Sequence, residues 1–383
     1  MQQLQTADYL VFLFYFLLVA GYGLFIYYSK RKSATDSKDF FLAEGSLTWW
    51  AIGASLIASN ISAEQFIGMS GAGFKIGLAI ASYEWMAAAT LLIVAVFFMP
   101  VYLKNKIYTM PQFLEQRYSR SVAIIMAVFW LLLYIAVNLT SILYLGALAV
   151  SSISGLDFQW CMYSLACFAI VITLGGMKVI GYTDIIQVLF LIVGGLATTY
   201  LALHLVAEKN GLQSMADGFS FMLHTAPEHF EMILPRHSSN YLDLPGLTVL
   251  VGGLWIANLN YWGCNQYITQ RALGANLKTA RNGILFAAFL KLLMPLIVVV
   301  PGIAAYILST QDSTFAHAME NSGELNPDRA YPLLLNLLPV GLKGLAFAAL
   351  TAAVVASLAG KTNSIATIFS LDIFKNRLYP AAS

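Results

Sequence analysis

Residues 53–73 read GASLIASNISAEQFIGMSGAG, and this stretch decides the fold. It is an apolar run long enough to cross a bilayer, yet its middle holds Ser59, Asn60, Ser62, Glu64 and Gln65. Polar or unwound backbone at membrane depth is tolerated only where protein encloses it or where it lines a water-filled cavity. The interruption therefore marks an enclosed site and not a lipid-facing helix. Residues 252–271, GGLWIANLNYWGCNQYITQR, have the same character, with Gly252, Gly253, Asn258, Asn260, Gly263, Asn265 and Gln266 inside an apolar stretch. Counting from the second span, the two interruptions open successive groups of five helices, the pattern expected of an inverted-repeat secondary transporter with its site at the breaks. The bland alternative is that these residues only hydrogen-bond neighbouring helices together.

The composition of the whole chain agrees. Of 383 residues, 59% are hydrophobic and 10% charged, where a soluble domain carries about a quarter charged residues. A helix needs about 20 largely apolar residues to span the hydrocarbon core. Runs that qualify lie near 7–28, 48–72, 78–103, 121–151, 158–175, 179–206, 246–270, 282–308 and 344–371, which makes nine expected spans. The first has no basic segment before it and is too long for a signal peptide, so it reads as a retained span. With the N-terminus outside, fourteen lysines and arginines, Arg271 among them, fall in inside loops. Only Lys75, Lys209, Arg236, Arg329 and Lys343 then fall outside. That bias orients the chain with its N-terminus out and its C-terminus in.

Two long connections, about 207–245 and 309–343, then lie outside and read as structured external loops. Of their histidines, His224 and His229 are five residues apart, a poor metal spacing on a helix, and read as solvated loop residues. Cys161, Cys167 and Cys264 all sit in apolar segments without a CxxC pair, so they read as packing residues. Glu84 and Lys291 are among the charges that fall inside spans, and are functional candidates by default. Each costs roughly 2.5–3.5 kcal/mol at a helix centre on insertion scales. The alternative is a purely structural Glu84–Lys291 pair.

Residues 39–50 (DFFLAEGSLTWW), 58–71 (ASNISAEQFIGMSG), 82–86 (SYEWM) and 252–271 closely resemble the sodium:solute symporter family. Within it they resemble the bacterial sodium/galactose branch, of sodium/glucose type, and the resemblance runs from about residue 8 to residue 375. It implies an all-α integral membrane protein with a leucine-transporter-type inverted-repeat fold and one extra N-terminal helix. As one transmembrane domain over 1–383, it would hold the extra helix at 7–28 and the first five-helix repeat at 48–206. A partial second repeat at 246–375 would be left incomplete in this chain.

The resemblance also implies ligands. The sugar-binding positions carry over to Asn60, Gln65, Glu84, Asn258 and Lys291, with Tyr261 as the aromatic residue against the sugar ring. Amides, a carboxylate and an ammonium suit a pyranose rim, and an aromatic ring suits its C–H face. The family's sodium site maps to carbonyls of Ala58, Ile61 and Ala353 with the hydroxyl of Ser357, and Asp184 maps to an acidic residue on the proposed sodium exit path. The implied function is sodium-coupled symport of a monosaccharide, galactose or glucose, across a bacterial inner membrane, with Na+ as coupling ion. The implied partners are the sugar, sodium and the lipid bilayer, with no nucleic acid.

Three positions depart from the family pattern. Ala356 stands where a sodium-ligating serine is usual, Ala87 where a serine touches the sugar, and Lys361 in a segment ordinarily uncharged. Four residues beyond Ser357, Lys361 should lie one turn from the sodium site on the same face. Its ammonium is expected either to pair with Asp184 or to reach towards the weakened ion site; the bland alternative is snorkelling to the inner interface. These departures keep other readings open: a non-transporting sugar sensor, a sodium-independent facilitator, or a truncated non-functional fragment. An enzyme is the weakest reading, because no Ser-His-Asp set, HExxH or phosphate loop appears, and Gly68-x-x-Gly71-x-Gly73 follows no strand.

Overall fold

The computed structural model describes residues 4–29, 40–43, 46–62, 64–244, 246–321 and 323–379. Lys30, Arg31, Lys32 and Lys38 of the inside-loop count lie outside them, as does Ala63 of the first interruption. The chain is a multi-pass membrane protein: among the described residues, six helices are long and apolar enough to cross a bilayer. Each expected span falls on a helix or on two helices joined at a break. They are α1 (Thr6–Ser29) and α2 (Trp49–Asn60), followed by a π-helical turn Glu64–Met69 that continues as α3 (Ser70–Ile76). Then come α4 (Leu78–Lys104), the short α5 (Met110–Arg117), α6 (Arg120–Ser154), α7 (Phe158–Leu174) and α8 (Gly176–Lys209). After α9 (Met215–Thr225), a second discontinuous pair follows, α10 (Leu254–Cys264) and α11 (Gln266–Leu273). The chain continues through α12 (Leu277–Gln311), α13 (Ser313–Met319), α14 (Ala330–Leu337) and α15 (Leu342–Asn376).

The layering follows from where small residues fall. In α15, 89% of the most apolar window is buried in protein, against 22% in α1. The central helix is thus α15, and α1 lies at the edge. Alanines 346, 348, 349, 352, 353, 356 and 359 keep α15 thin enough for close approach. A Cβ at Gly194 of α8 would stand 2.8 Å from the Ala349 methyl. The α3–α12 crossing is tighter still, since a Cβ at Gly302 would stand 2.0 Å from the Ser70 carbonyl oxygen and one at Gly73 2.6 Å from that of Val299. These contacts hold the second half of the first discontinuous helix against α12.

Both long connections pack on the same end of the bundle. Asp8, at the start of α1, accepts hydrogen bonds from Gly341 N and Gly344 N, each at 2.8 Å. It thereby caps the start of α15, where four N–H groups lack helical partners. The 207–245 connection folds over the end of α3, and this corrects the expectation of two solvated histidines. His224 is exposed, but His229 is buried. Its ring stacks on Tyr306 with centroids 3.9 Å apart, and its Nε2–H donates to the Phe74 carbonyl at 3.0 Å. Gly77, at φ +85°, permits the approach, because a Cβ there would stand 2.3 Å from the His229 carbonyl oxygen. The exposed Lys209–Asp312 pair joins the same loops, and the ammonium holds the Asp312 carboxyl below its usual range.

A side chain at the α3–α12 crossing should be far more damaging than one on the outer helix. Gly302→Val is expected to lose about 3 kcal/mol by overpacking. Gly21→Ala, with open space around it, is expected to be neutral. Thermal unfolding in detergent reads both, and an unchanged melting temperature for Gly302→Val would contradict the packing described.

Candidate functional site

Two features meet where α2 breaks. The helix ends at Asn60, and Ile61 turns to φ −84°, ψ 113° before the π-helical turn resumes. The last carbonyls of α2 therefore have no N–H one turn ahead of them. The fully buried Ser357 of α15 supplies the missing partner. Its Oγ stands 3.4 Å from the Ala58 carbonyl oxygen, 3.1 Å from that of Ser59 and 3.3 Å from that of Ile61. A hydroxyl has one proton to give, so it satisfies one carbonyl at a time while its lone pairs stay in the cluster. Converging oxygens with no full charge suit a hard cation. Ala353 is fully buried one turn earlier on α15, and Ala356 adds only a methyl beside Ser357.

On the other side of the break lies a cavity of about 370 Å³. Its walls include Asn60, Gln65, Glu84, Asn258, Tyr261 and Lys291, together with Ala87 and Trp262. The structure thus brings all six expected sugar-site residues to one cavity. Lys291 Nζ donates to Glu84 Oε2 at 2.5 Å, both groups being buried, and stands 5.4 Å from the Trp262 ring centroid. Asn60 Nδ2 donates to the Tyr261 hydroxyl at 2.9 Å, while Asn258 Nδ2 donates to Leu254 O in its own helix at 2.9 Å. The buried acceptor oxygens Asn60 Oδ1 and Gln65 Oε1 meet no donor among the described residues. Unpaired buried acceptors are costly, so this wall is built to receive hydroxyl donors.

The floor of the cavity is aromatic. Tyr267 donates its hydroxyl proton to the Tyr261 hydroxyl, and the rings lie edge-on with centroids 5.7 Å apart. Tyr134 stacks edge-on against Tyr267 at 5.9 Å and donates to Asn265 Oδ1 at the second break. Sequence reasoning missed both, because a tyrosine in an apolar span reads as core.

The expectations for Asp184 and Lys361 need correction. Asp184 does not pair with Lys361. Its Oδ2 accepts from Ser55 Oγ at 2.5 Å and lies 3.7 Å from Arg271 Nη2. Arg271, assigned to an inside loop by charge counting, is fully buried on α11. Lys361 is buried as well, so it does not snorkel to the interface; its Nζ lies 4.8 Å over the Tyr267 ring. The cause is helix geometry. Gly360 and Ser59 face Arg271, and the next residue on α15 is turned by about 100° towards Tyr267.

Discontinuous helices around a cavity with polar side chains in its wall define an integral membrane protein of the leucine-transporter-type fold. The profile of the sodium:solute symporter family matches residues 40–383, and the chain belongs to that family. It is 50% identical to the sodium/glucose cotransporter of Vibrio parahaemolyticus over 98% of this chain and 70% of that protein. It is 35% identical to the sodium/myo-inositol cotransporter 2 of Oryctolagus cuniculus and to that of Homo sapiens, over 100% and 99% of this chain. The chain spans 58% of the length of each of those two carriers. A solved Na+-coupled sialic acid symporter, in a substrate-bound outward-open state, shares the fold with a TM-score of 0.83 at 23% identity. The match covers 97% of this chain and 75% of that one.

Restoring a hydroxyl beside Ser357 should strengthen the oxygen cluster. Ala356→Ser is expected to tighten sodium binding roughly fivefold, the worth of about one net hydrogen-bond-scale contact. The sodium-dependent rise in melting temperature reads it, since a ligand that binds only the folded state stabilises it. No difference between the variant and the parent chain would remove Ala356 from the cluster.

Proposed function

We propose that this chain carries a monosaccharide of the galactose/glucose type by sodium-coupled symport. The observation that supports it most is the adjacency of two sites at one helix break. Asn60 belongs to the sugar-side cavity, and Ala58, Ser59 and Ile61 belong to the Ser357 oxygen cluster. A sodium ion on these carbonyls would fix the backbone at residues 58–61, and with it the side chains of Asn60 and Gln65. Each ligand then binds better when the other is present, which is the thermodynamic content of coupling. Glu84, Lys291, Asn258, Gln65 and Asn60 would take the ring hydroxyls, and Tyr261 would cover the C–H face. The glucose and myo-inositol for which the relatives are named are polyhydroxylated rings, and the donor-poor wall of Asn60 and Gln65 fits that class.

In this reading Ala353 completes the sodium ligands and Asp184 receives the ion as it leaves. Helices within 48–206 form the first five-helix repeat and those within 246–375 begin the second, with 7–28 as the extra helix. The N-terminus and both long connections face outside a bacterial inner membrane, in line with the lysine and arginine placement. The alternatives are separated by one assay. Uptake of labelled galactose into proteoliposomes is expected to depend on an inward sodium gradient and to fall to background in choline. Equal uptake in choline would make the chain a facilitator, and binding without uptake a sensor.

The buried pair provides a second test. Lys291→Met leaves the Glu84 carboxylate buried without its partner, and should cost about 3–5 kcal/mol of stability. Glu84→Gln with Lys291→Met is expected to recover most of the melting temperature but not galactose binding. Wild-type affinity in the double variant would make the pair structural only.

A further inference from the structure

The polar track does not end at Ser357. On the same face of α2, one turn before Ser59, Ser55 Oγ donates to Asp184 Oδ2 at 2.5 Å. Arg271 stands at the join: its Nε donates to Ser55 Oγ at 2.7 Å, and its Nη1 donates to the Tyr267 carbonyl. Its Nη2 lies 3.7 Å from Asp184 Oδ2 and makes no hydrogen bond. Nη2 is accommodated by Gly360, where a Cβ would stand 2.4 Å from it and 3.1 Å from Ser59 Oγ. Ser59 Oγ is itself buried without a partner, and the Ser59 carbonyl belongs to the Ser357 cluster. A run of oxygens thus leads from the α2 carbonyls to Asp184, and a guanidinium sits across it.

A cation moving along that run meets a fixed positive charge before it reaches the carboxylate. In a poorly screened interior that repulsion is strong. Arg271 is carried by a short helix set off by a break in the chain. It lies on α11, eight residues joined to α10 at Asn265, where φ −93° and ψ 124° break the helix and no side chain caps it. The same short helix carries Tyr267, whose hydroxyl donates to Tyr261 in the cavity wall.

We propose that Arg271 is a movable counter-ion that competes with the outgoing sodium ion for Asp184, tying ion release to displacement of α11. Seated on Asp184, the guanidinium neutralises the carboxylate and bars the path. When α11 moves, Tyr267 leaves Tyr261 and Arg271 leaves Asp184, so one displacement releases the tyrosine in the cavity wall and frees the anionic exit. Arg271 is a positioning residue here, since it acts through Asp184. The inference rests on the symporter reading above.

The test compares wild-type protein with Arg271→Gln, Asp184→Asn, the double variant and Gly360→Ala in proteoliposomes. Labelled sodium flux is measured without sugar, alongside sodium-driven galactose uptake and the melting temperature in detergent. Arg271→Gln is expected to pass sodium without sugar roughly tenfold faster than wild type, as a repulsive charge leaves the path. Adding Asp184→Asn should abolish that leak. Gly360→Ala keeps every charge but crowds Nη2, and should leak in the same sense, which keeps the test open if Arg271→Gln folds poorly. Sugar-free flux at the wild-type level in both Arg271→Gln and Gly360→Ala, with only the melting temperature lowered, would overturn the proposal and leave a structural ion pair. If the wild-type chain shows no sodium-coupled uptake, the symporter reading fails by itself, and the interlock is judged on the sugar-free flux alone.

Discussion

A carbonyl that a helix leaves unpaired is expensive in a medium without water, and the end of α2 presents several of them at the centre of the bundle. The rest of the architecture is arranged around their satisfaction. Ser357 must lie within reach, so α15 has to run through the middle of the molecule and not along its edge. For α15 to pass that close, its neighbours must come near its axis, which explains the run of alanines and the Gly194 contact. The helix is then nearly all buried, and its own start needs a polar cap that lipid cannot give. Asp8 of α1 provides it. Helix α1 thus has a mechanical use that its position at the edge would not suggest.

The same break explains why charge can be kept in the interior. Glu84 and Lys291 are far from bulk water, and each alone would be a large desolvation cost. Placed across the cavity from Asn60 and Gln65, they face a wall whose acceptors lack donors, and the pair supplies one charge of each sign. A polyhydroxylated ring can satisfy both walls because every hydroxyl both donates and accepts. An apolar ligand of the same size could not, and would leave the amide oxygens unpaired. Selectivity in such a site comes from what remains unsatisfied with the wrong occupant.

Much of this was legible in the sequence because polar residues are conspicuous in an apolar chain. Asn60, Gln65, Glu84, Asn258 and Lys291 stood out for that reason, and the nine apolar runs mark the helices within a few residues. What was not legible depended on direction. Arg271 follows the second interruption closely, so a count of loop charges placed it outside the membrane; only the turn of the chain at Asn265 folds it back against Asp184. Lys361 and Gly360 are neighbours in sequence, but the helix sends one to Tyr267 and opens the other to a guanidinium. Ser55 reads as an ordinary membrane-helix serine bonded to its own backbone until its partner on α8 is known. His229 was misread because a loop histidine is usually solvated, and nothing local announces that Gly77 and Phe74 will receive it.

The two buried ion pairs differ in a way that matters for movement. Glu84 and Lys291 stand on α4 and α12, both long helices that cross the bundle unbroken at those positions. Asp184 is likewise on the long helix α8, but Arg271 is on the eight-residue α11, which the non-helical Asn265 separates from α10. A rigid displacement of α11 would leave the first pair intact and separate the second. On separation Arg271 keeps its bond to the Tyr267 carbonyl within the same helix and gives up its bond to Ser55 Oγ. The stranded group is Asp184, whose remaining donor is Ser55. A carboxylate left with one hydroxyl at the end of an oxygen-lined track has a strong demand for a cation, and the track leads back to the carbonyls of α2.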